Sequence, residues 1–571
     1  MSQRARVKFG SMCRKVRLVI LIFILVLLAS IVVIGAGAGP QAIGQGNADV
    51  KVLVSGGELH GTNGLGFNKE GHLYVASVVG REIVILNPVT GEILNRLGPA
   101  DGVQGPDDLT FDDDDTLYWT DLLSGEVGSR TSENVVVKQL VAPFVNPISI
   151  NDEGRLFVAQ AFTGDGLFEL DPKLVDPPQK ILGSGDPFNH LNGFDFGPDG
   201  WLYAPQQQQE RMVRINVDTK AVEEVTDEIM GSCKFDSKGE LHVEISDAVV
   251  HYDLDTDVIT NIASLPEGTD NLAFNADDHL YTTNFKDGTV HQVFADGTTR
   301  LVIEGGLIAP GGVAVLPDGD AGESIFVADF WTVREYDGKT GELGIEGRDF
   351  FFDAPFSAAA DGENLILTSW FGMTVEVWSP ATQSIQEMYT ANVPIDAIRF
   401  EDDLVVSELG SGSVVQLAAG TGVTTTLAAG LTVPSGLAAT DDDLWVADWA
   451  TGMVLQVVTD GVTEDPPKMI ASGLAFPEGL AVEKDGSLLV VESGAGRLSR
   501  IDVDSGIVTT AAENLSLGAP GPAGWPPTWI FNGVAVGQDG TAYVTGDIDN
   551  VVYRIGFGPF YSHFPVIFGH E

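Results

Sequence analysis

Cysteine is nearly absent from this 571-residue sequence, which holds only Cys13 and Cys233. Cys13 lies in a basic N-terminal stretch, so Cys233 stands alone in the body and no intrachain disulfide is expected there. Cys233 falls in an apolar strand pattern, which predicts a buried and inert thiol. Positive charge is also scarce: 31 Lys and Arg stand against 81 Asp and Glu, a net charge of −50. That balance excludes nucleic acid as a partner, because phosphate binding needs a positive field. It suits either solubility, as in a salty medium, or affinity for divalent cations. Long amphipathic helical stretches are missing after the N-terminus. So are a His-Glu-x-x-His metal pair and a Gly-x-Ser-x-Gly nucleophile elbow.

What is present begins with Arg4, Arg6, Lys8, Arg14, Lys15 and Arg17, followed by an apolar run from Leu18 to about Ala38. Positive-then-apolar order leaves the N-terminus in the cytoplasm and sends the rest across the membrane. The run is long enough to span a bilayer as a helix. Ala36-Gly37-Ala38 is a small-x-small cleavage site. Residues 1–39 therefore read as a signal peptide or as a membrane anchor. The body is expected outside the cytoplasm, periplasmic or secreted, and tethered to the membrane if the segment is retained.

The body repeats. NGLGFNKEGHLYVAS from Asn63 matches NGFDFGPDGWLYAPQ from Asn192, and EGLAVEKDGSLLVVES from Glu478 matches NGVAVGQDGTAYVTGD from Asn532. Each unit has a turn residue, a short apolar strand, a tight turn and a second apolar strand. The Asp-Gly turns are hairpin signals, because Gly tolerates positive φ. Repeats start near Asn63, Asp107, Asn146, Asn192, Gly231, Asp270, Gly311, Phe356, Asp396, Ser435, Glu478 and Asn532, mostly 39 to 46 residues apart. That period suits one four-stranded propeller blade per repeat. Rings of four to eight blades are common, so the expected fold is all-β: two tandem six-bladed β-propellers after an N-terminal hydrophobic helix. The first would span 50–305 and the second 306–571. The last interval is lengthened by LSLGAPGPAGWPPTW, and FGPFYSHFPVIFGHE is expected to close a sheet or cross a rim.

Propeller geometry places the residue opening each repeat, and the residue ending its second strand, at one mouth of the central channel. In the first ring the pairs are Asn63 with Ser77, Asp107 with Asp121, Asn146 with Gln160, Asn192 with Gln206 and Asp270 with Asn284, each fourteen residues apart. Gly231 with Ile245 breaks the trend. In the second ring Asp396, Glu478, Asn532 and Asp448 form a candidate site. Trp331, Trp370 and Trp449 are expected at the rim as binding surface. Converging Asp, Glu and Asn offer oxygen ligands, the set of a hard cation such as calcium. The same residues also open turns by bonding their own backbone, without any metal. His190, two residues before Asn192, is a candidate general base or an incidental loop residue. His242 and His279 fall in or beside hairpin strands and read as structural.

NHLNGFDFGPDGWLYAPQ resembles the Asn-Gly blade of the gluconolactonase, senescence-marker and luciferin-regenerating family. The same shape is similar to paraoxonases and strictosidine-synthase-like proteins, all six-bladed propellers. PSGLAATDDDLWVAD and PEGLAVEKDGSLLVVES are similar to virginiamycin B lyase and NHL-type repeats. The first resemblance implies a calcium or other divalent ion in the channel, held by a Glu, two Asn and an Asp from the first, third, fourth and fifth blades. Asn146 and Asn192 match the two Asn; Asn63 stands where Glu is implied and Gly231 where Asp is implied, with Asp270 the nearest substitute.

Two functions follow from these readings. One is a metal-assisted hydrolase of a lactone or ester, with Asn146, Asn192 and Asp270 as ligands, Asp107 nearby and His190 as base. The other is a non-catalytic extracytoplasmic platform that binds a glycan, peptide or envelope protein through its Trp-bearing rim.

Overall fold

A computed structural model describes residues 48–161, 166–183, 190–206, 209–229, 231–319, 322–346, 354–522 and 526–557. The N-terminal hydrophobic segment and the C-terminal residues after Phe557 lie outside these. No helix of the described residues is long and apolar enough to cross a membrane.

The fold is all-β. Strands assemble into four-stranded antiparallel sheets of propeller-blade form, twelve among the described residues. Within a sheet, sequential strands pair as neighbours, because tight turns leave no room for a crossover. In the sheet from Leu202–Gln206, Asp199 Oδ1 accepts the Trp201 N–H at 3.1 Å and Gly200 takes φ 75°. A side chain at Gly200 would be strained there, which explains the Asp-Gly pairs.

The chain divides into two compact units. In the first, Gly56–Ile308, the innermost strands are Leu65–Phe67, Pro106–Phe111, Val145–Ile150, Asp195–Phe196, Cys233–Phe235 and Thr269–Phe274. Each packs on the next, and the last packs on the first. The second unit runs from Ala309 and has innermost strands Pro310–Asp318, Ser357–Asp361, Pro394–Phe400, Pro434–Ala439, Pro477–Val482 and Val534–Val536, again in cyclic contact. Its last sheet takes three strands from the C-terminal end and the fourth, Ala48–Ser55, from the N-terminal end. Ala48 pairs with Phe557 and Ser55 with Val551. Residues 50–55 thus belong to the second unit, whereas the sequence reading had placed them in the first.

Apolar residues fill the space between successive sheets. Phe157, Ala159 and Leu167 of one sheet interlock with Phe194, Leu202, Ala204 and Val213 of the next. Both faces of the Leu202–Gln206 strand are covered, so all five residues are buried. Cys233 is buried in such a layer, as its strand pattern predicts. Where Gly follows the opening residue, as at Gly64, Gly193, Gly312, Gly436, Gly479 and Gly533, it allows the inner strands to converge. A Cβ on Gly193 would lie 2.2 Å from Ser232 Cβ, and one on Gly479 would lie 2.8 Å from Asn532 O.

Candidate functional site

In the first unit the opening residues stand where successive inner strands begin. Asn63 Nδ2 donates to Asp270 Oδ2 at 3.1 Å, and Asn63 Oδ1 accepts the Val78 N–H at 3.2 Å. Asn146 Nδ2 donates to Asn192 Oδ1 at 3.2 Å. Asn146 Oδ1 is buried and has no hydrogen-bond partner. Buried polar atoms are almost always paired, so this oxygen retains an unused capacity to accept.

Asp270 acts electrostatically on two further carboxyls, Asp107 and Glu244. Desolvation pushes Asp107 well above the usual range, reinforced by the charges of Asp270 and Asp108. Desolvation raises Asp270 to about 6, opposed by the Asn63 hydrogen bond. Glu244 is also raised well above its ordinary value, first by desolvation and then by Asp270. One Glu244 oxygen accepts the Ser246 N–H. Glu244 ends the strand Leu241–Glu244, the second of its sheet. It stands in the sheet that Gly231 opens. Gly231 must lack a side chain, since a Cβ there would fall 1.3 Å from Glu244 O.

Sequence spacing missed Glu244 because this strand ends one residue early, so a fourteen-residue step lands on Ile245. His190 Nδ1 lies 2.6 Å from Ala161 O. A carbonyl oxygen only accepts, so Nδ1 is the donor in this contact and Nε2 is left for other partners.

Other acids of the same strands have a different role. Asp108 Oδ2 accepts the Ile148 N–H at 3.1 Å, Asp195 Oδ2 the Phe235 N–H at 3.1 Å and Asp396 Oδ2 the Leu437 N–H at 2.9 Å. Each stitches its sheet to the following one. Asp396 also accepts Ser357 Oγ at 2.6 Å, and burial raises it to about 6. Acids that end second strands hold the loop entering their own sheet. Asp448 accepts the Thr432 and Val433 N–H groups at 2.9 and 3.1 Å, and Asp121 those of Gln104 and Gly105 at 2.8 and 2.6 Å. Asp448, expected in a second-ring site, is thus occupied in tying its loop.

The second unit contains a cavity of about 340 Å³ lined by Ser357, Asp396, Arg399, Glu478 and Asn532 among small apolar residues. Glu478 Oε2 accepts the Asn532 N–H at 2.7 Å. Glu478 Oε1 and Asn532 Nδ2 are buried with no hydrogen-bond partner of normal geometry. Burial, then the charge of Asp547, raises Glu478 to about 8, while Ser493 and Trp449 beside it favour the charged form. Asp547 accepts the Gly518 and Ala519 N–H groups at 2.7 and 2.9 Å.

The expected Trp rim is corrected at Trp370. Trp370 is 1% exposed, stacked on Phe356 at 4.4 Å with Trp529 at 5.9 Å. Trp529 comes from the Pro-rich insertion, which covers it. Trp331 packs edge-on against Phe330, and Trp449 stacks on Phe476 at 4.2 Å; both are half-buried.

No family model matches the chain. No curated protein matches it. Among solved structures, it is similar to the extracellular domain of a protein named as a hybrid two-component system from B. thetaiotaomicron, at 11% identity, covering 89% of this chain and 82% of that one, with a TM-score of 0.31. A structure named as a gluconolactonase is 13% identical over 45% of this chain and 94% of its own, with a TM-score of 0.35. Virginiamycin B lyase from Staphylococcus aureus is 12% identical over 57% of this chain and 96% of its own, with a TM-score of 0.22. The likeness is one of general fold.

Proposed function

We propose that each unit is a six-bladed propeller, and that the first is a divalent-cation-dependent hydrolase of a lactone or ester working outside the cytoplasm. The observation that carries this reading is the orphaned Asn146 Oδ1, bonded through its amide to Asn192, among opening residues that include buried Asp107 and half-buried Asp270, with buried Glu244 beside Asp270. The Asp270 charge repels those of Asp107 and Glu244, and a cation relieves that repulsion. The donors are all oxygen, which suits calcium. Asn146, Asn192 and Asp270 would hold the ion, with Glu244 in place of the absent fifth-sheet Asp. A bound divalent ion supplies Lewis acidity toward a carbonyl oxygen. The chain's own part is to orient the substrate at the mouth and to take a proton at His190 Nε2 as water adds to the carbonyl carbon.

The test is calcium stoichiometry and a lactone and ester screen on the full chain. Asn192→Ala should abolish calcium binding and hydrolysis together, whereas His190→Ala should slow hydrolysis and leave calcium in place. Hydrolysis unchanged in Asn192→Ala would refute the reading.

The second reading, a non-catalytic platform for a glycan, peptide or envelope protein, draws on the second unit. Its cavity carries one unpaired acceptor on Glu478 and one unpaired donor on Asn532, which suits a small neutral ligand better than an ion. A purified chain that binds no such ligand, with Glu478→Gln and wild type alike, would remove it.

A further inference from the structure

The turn after the strand Cys233–Phe235 gathers Asp236, Glu240 and His242, whose ligand atoms all lie within 4.8 Å of one another. Among the described residues this is the one such trio of acidic, His or Cys side chains. It sits at the turn that opens the strand Leu241–Glu244, whereas Glu244 stands at that strand's other end.

The His242 side chain is the informative member. The residue is 9% exposed, and both ring nitrogens are buried without a hydrogen-bond partner. Its ring packs edge-on against Phe274 at 4.9 Å, and the cross-strand His251 ring lies 5.6 Å away. A buried imidazole that serves only to fill space leaves two polar atoms unsatisfied, which is costly away from water. His242 Nε2 sits 3.7 Å from Asp236 Oδ2, too far for a hydrogen bond. Two ligand atoms held at tetrahedral angles around one zinc ion stand about 3.4 Å apart.

The Asp236 carboxylate is pre-aimed. Its Oδ1 accepts the Lys238 and Glu240 N–H groups at 3.0 and 2.8 Å, which leaves Oδ2 facing the imidazole. Lys238 Nζ lies 3.8 Å from that oxygen, on a side chain 68% exposed that is able to swing aside. The turn is in turn braced against the following sheet, where Ser237 bonds both oxygens of Asp278.

We propose that Asp236, Glu240 and His242 form a zinc-class divalent metal site that clamps the two strands of this hairpin across their turn. One imidazole with two carboxylates suits zinc and its first-row neighbours, whereas calcium prefers oxygen alone. The fourth position is open to water, since Glu240 lies on the exposed side.

The test uses the full chain, stripped with chelator and then saturated with calcium so that oxygen-only sites are filled. Zinc is titrated by calorimetry, and cobalt(II) is added separately as a spectroscopic probe. One zinc per chain is expected, with visible cobalt absorption typical of four-coordination. E240Q removes an exposed ligand without touching the core, and should weaken zinc at least tenfold and bleach the cobalt bands. H242Q should do the same. No zinc uptake by the wild-type chain would overturn the proposal, and so would uptake equal in wild type and E240Q. The oxygen-site variant Asn192→Ala should leave zinc binding unchanged; loss of zinc there would overturn it too.

Discussion

Asp270 accepts a hydrogen bond from Asn63 at 3.1 Å while its charge bears on the buried carboxyl of Glu244. The first and sixth sheets are thereby coupled to the fifth across one mouth. Removing the Asp270 charge should therefore be felt at Glu244. Asp270→Asn should raise thermal stability in chelator, by relieving repulsion, and lower it in calcium relative to wild type. Melting curves in both buffers check this; the same shift in both would show that Asp270 is only a fold residue.

Glu478 gives a pH signature. Its pKa is raised to about 8, by burial and then Asp547, from an ordinary carboxylate value. Between about pH 4 and pH 8 the folded chain holds a proton that the unfolded chain has released, so stability falls as pH rises through that window. It is full below the unfolded value and lost above about 8. Glu478→Gln should flatten the curve and exceed wild type at pH 9 by on the order of 1–3 kcal/mol in urea unfolding.

The loop-holding acids should be fold residues and nothing else. Asp448→Ala strands the Thr432 and Val433 N–H groups, one of them buried. A loss of about 2–4 kcal/mol is expected in urea, with activity per folded molecule unchanged. A selective loss of activity at full stability would return Asp448 to a functional role.

Gly231 should be intolerant of any side chain. Even Ala places its Cβ 1.3 Å from Glu244 O, which forces two strands apart. Gly231→Ala should destabilise the first unit by roughly 3 kcal/mol or more and displace Glu244. Gly71→Ala is the comparison: nothing lies within 4 Å of its Cβ, so its cost is confined to its φ of 80°.

The repeat period and the Asp-Gly turns made the sheets legible, because a four-stranded unit needs about forty residues and cannot bury its faces alone. The opening residues were legible too, and Asn63, Asn146, Asn192 and Asp270 do bond one another in pairs. Two things were not. The sorting of acids into stitches such as Asp396, loop holders such as Asp448 and mouth residues such as Glu244 depends on which backbone N–H each one reaches. Spacing cannot give that, since one residue of strand length decides it at Glu244. The second was burial of aromatics: Trp370 follows its strand like any rim residue, and Phe356 together with Trp529 of the insertion covers it.

The strand Ala48–Ser55 lies beside Val551–Phe557, which makes the first unit an insertion within the second. A nascent chain completes its first unit once Ile308 has emerged, but must carry Ala48–Ser55 unpaired until the final sheet is synthesised. Val52, 51% exposed even when paired, is part of that waiting edge. Birth order is thus the reverse of closure order: the earliest described strand is among the last to find its partner, and a prematurely terminated chain would leave one unit whole and the other unclosed.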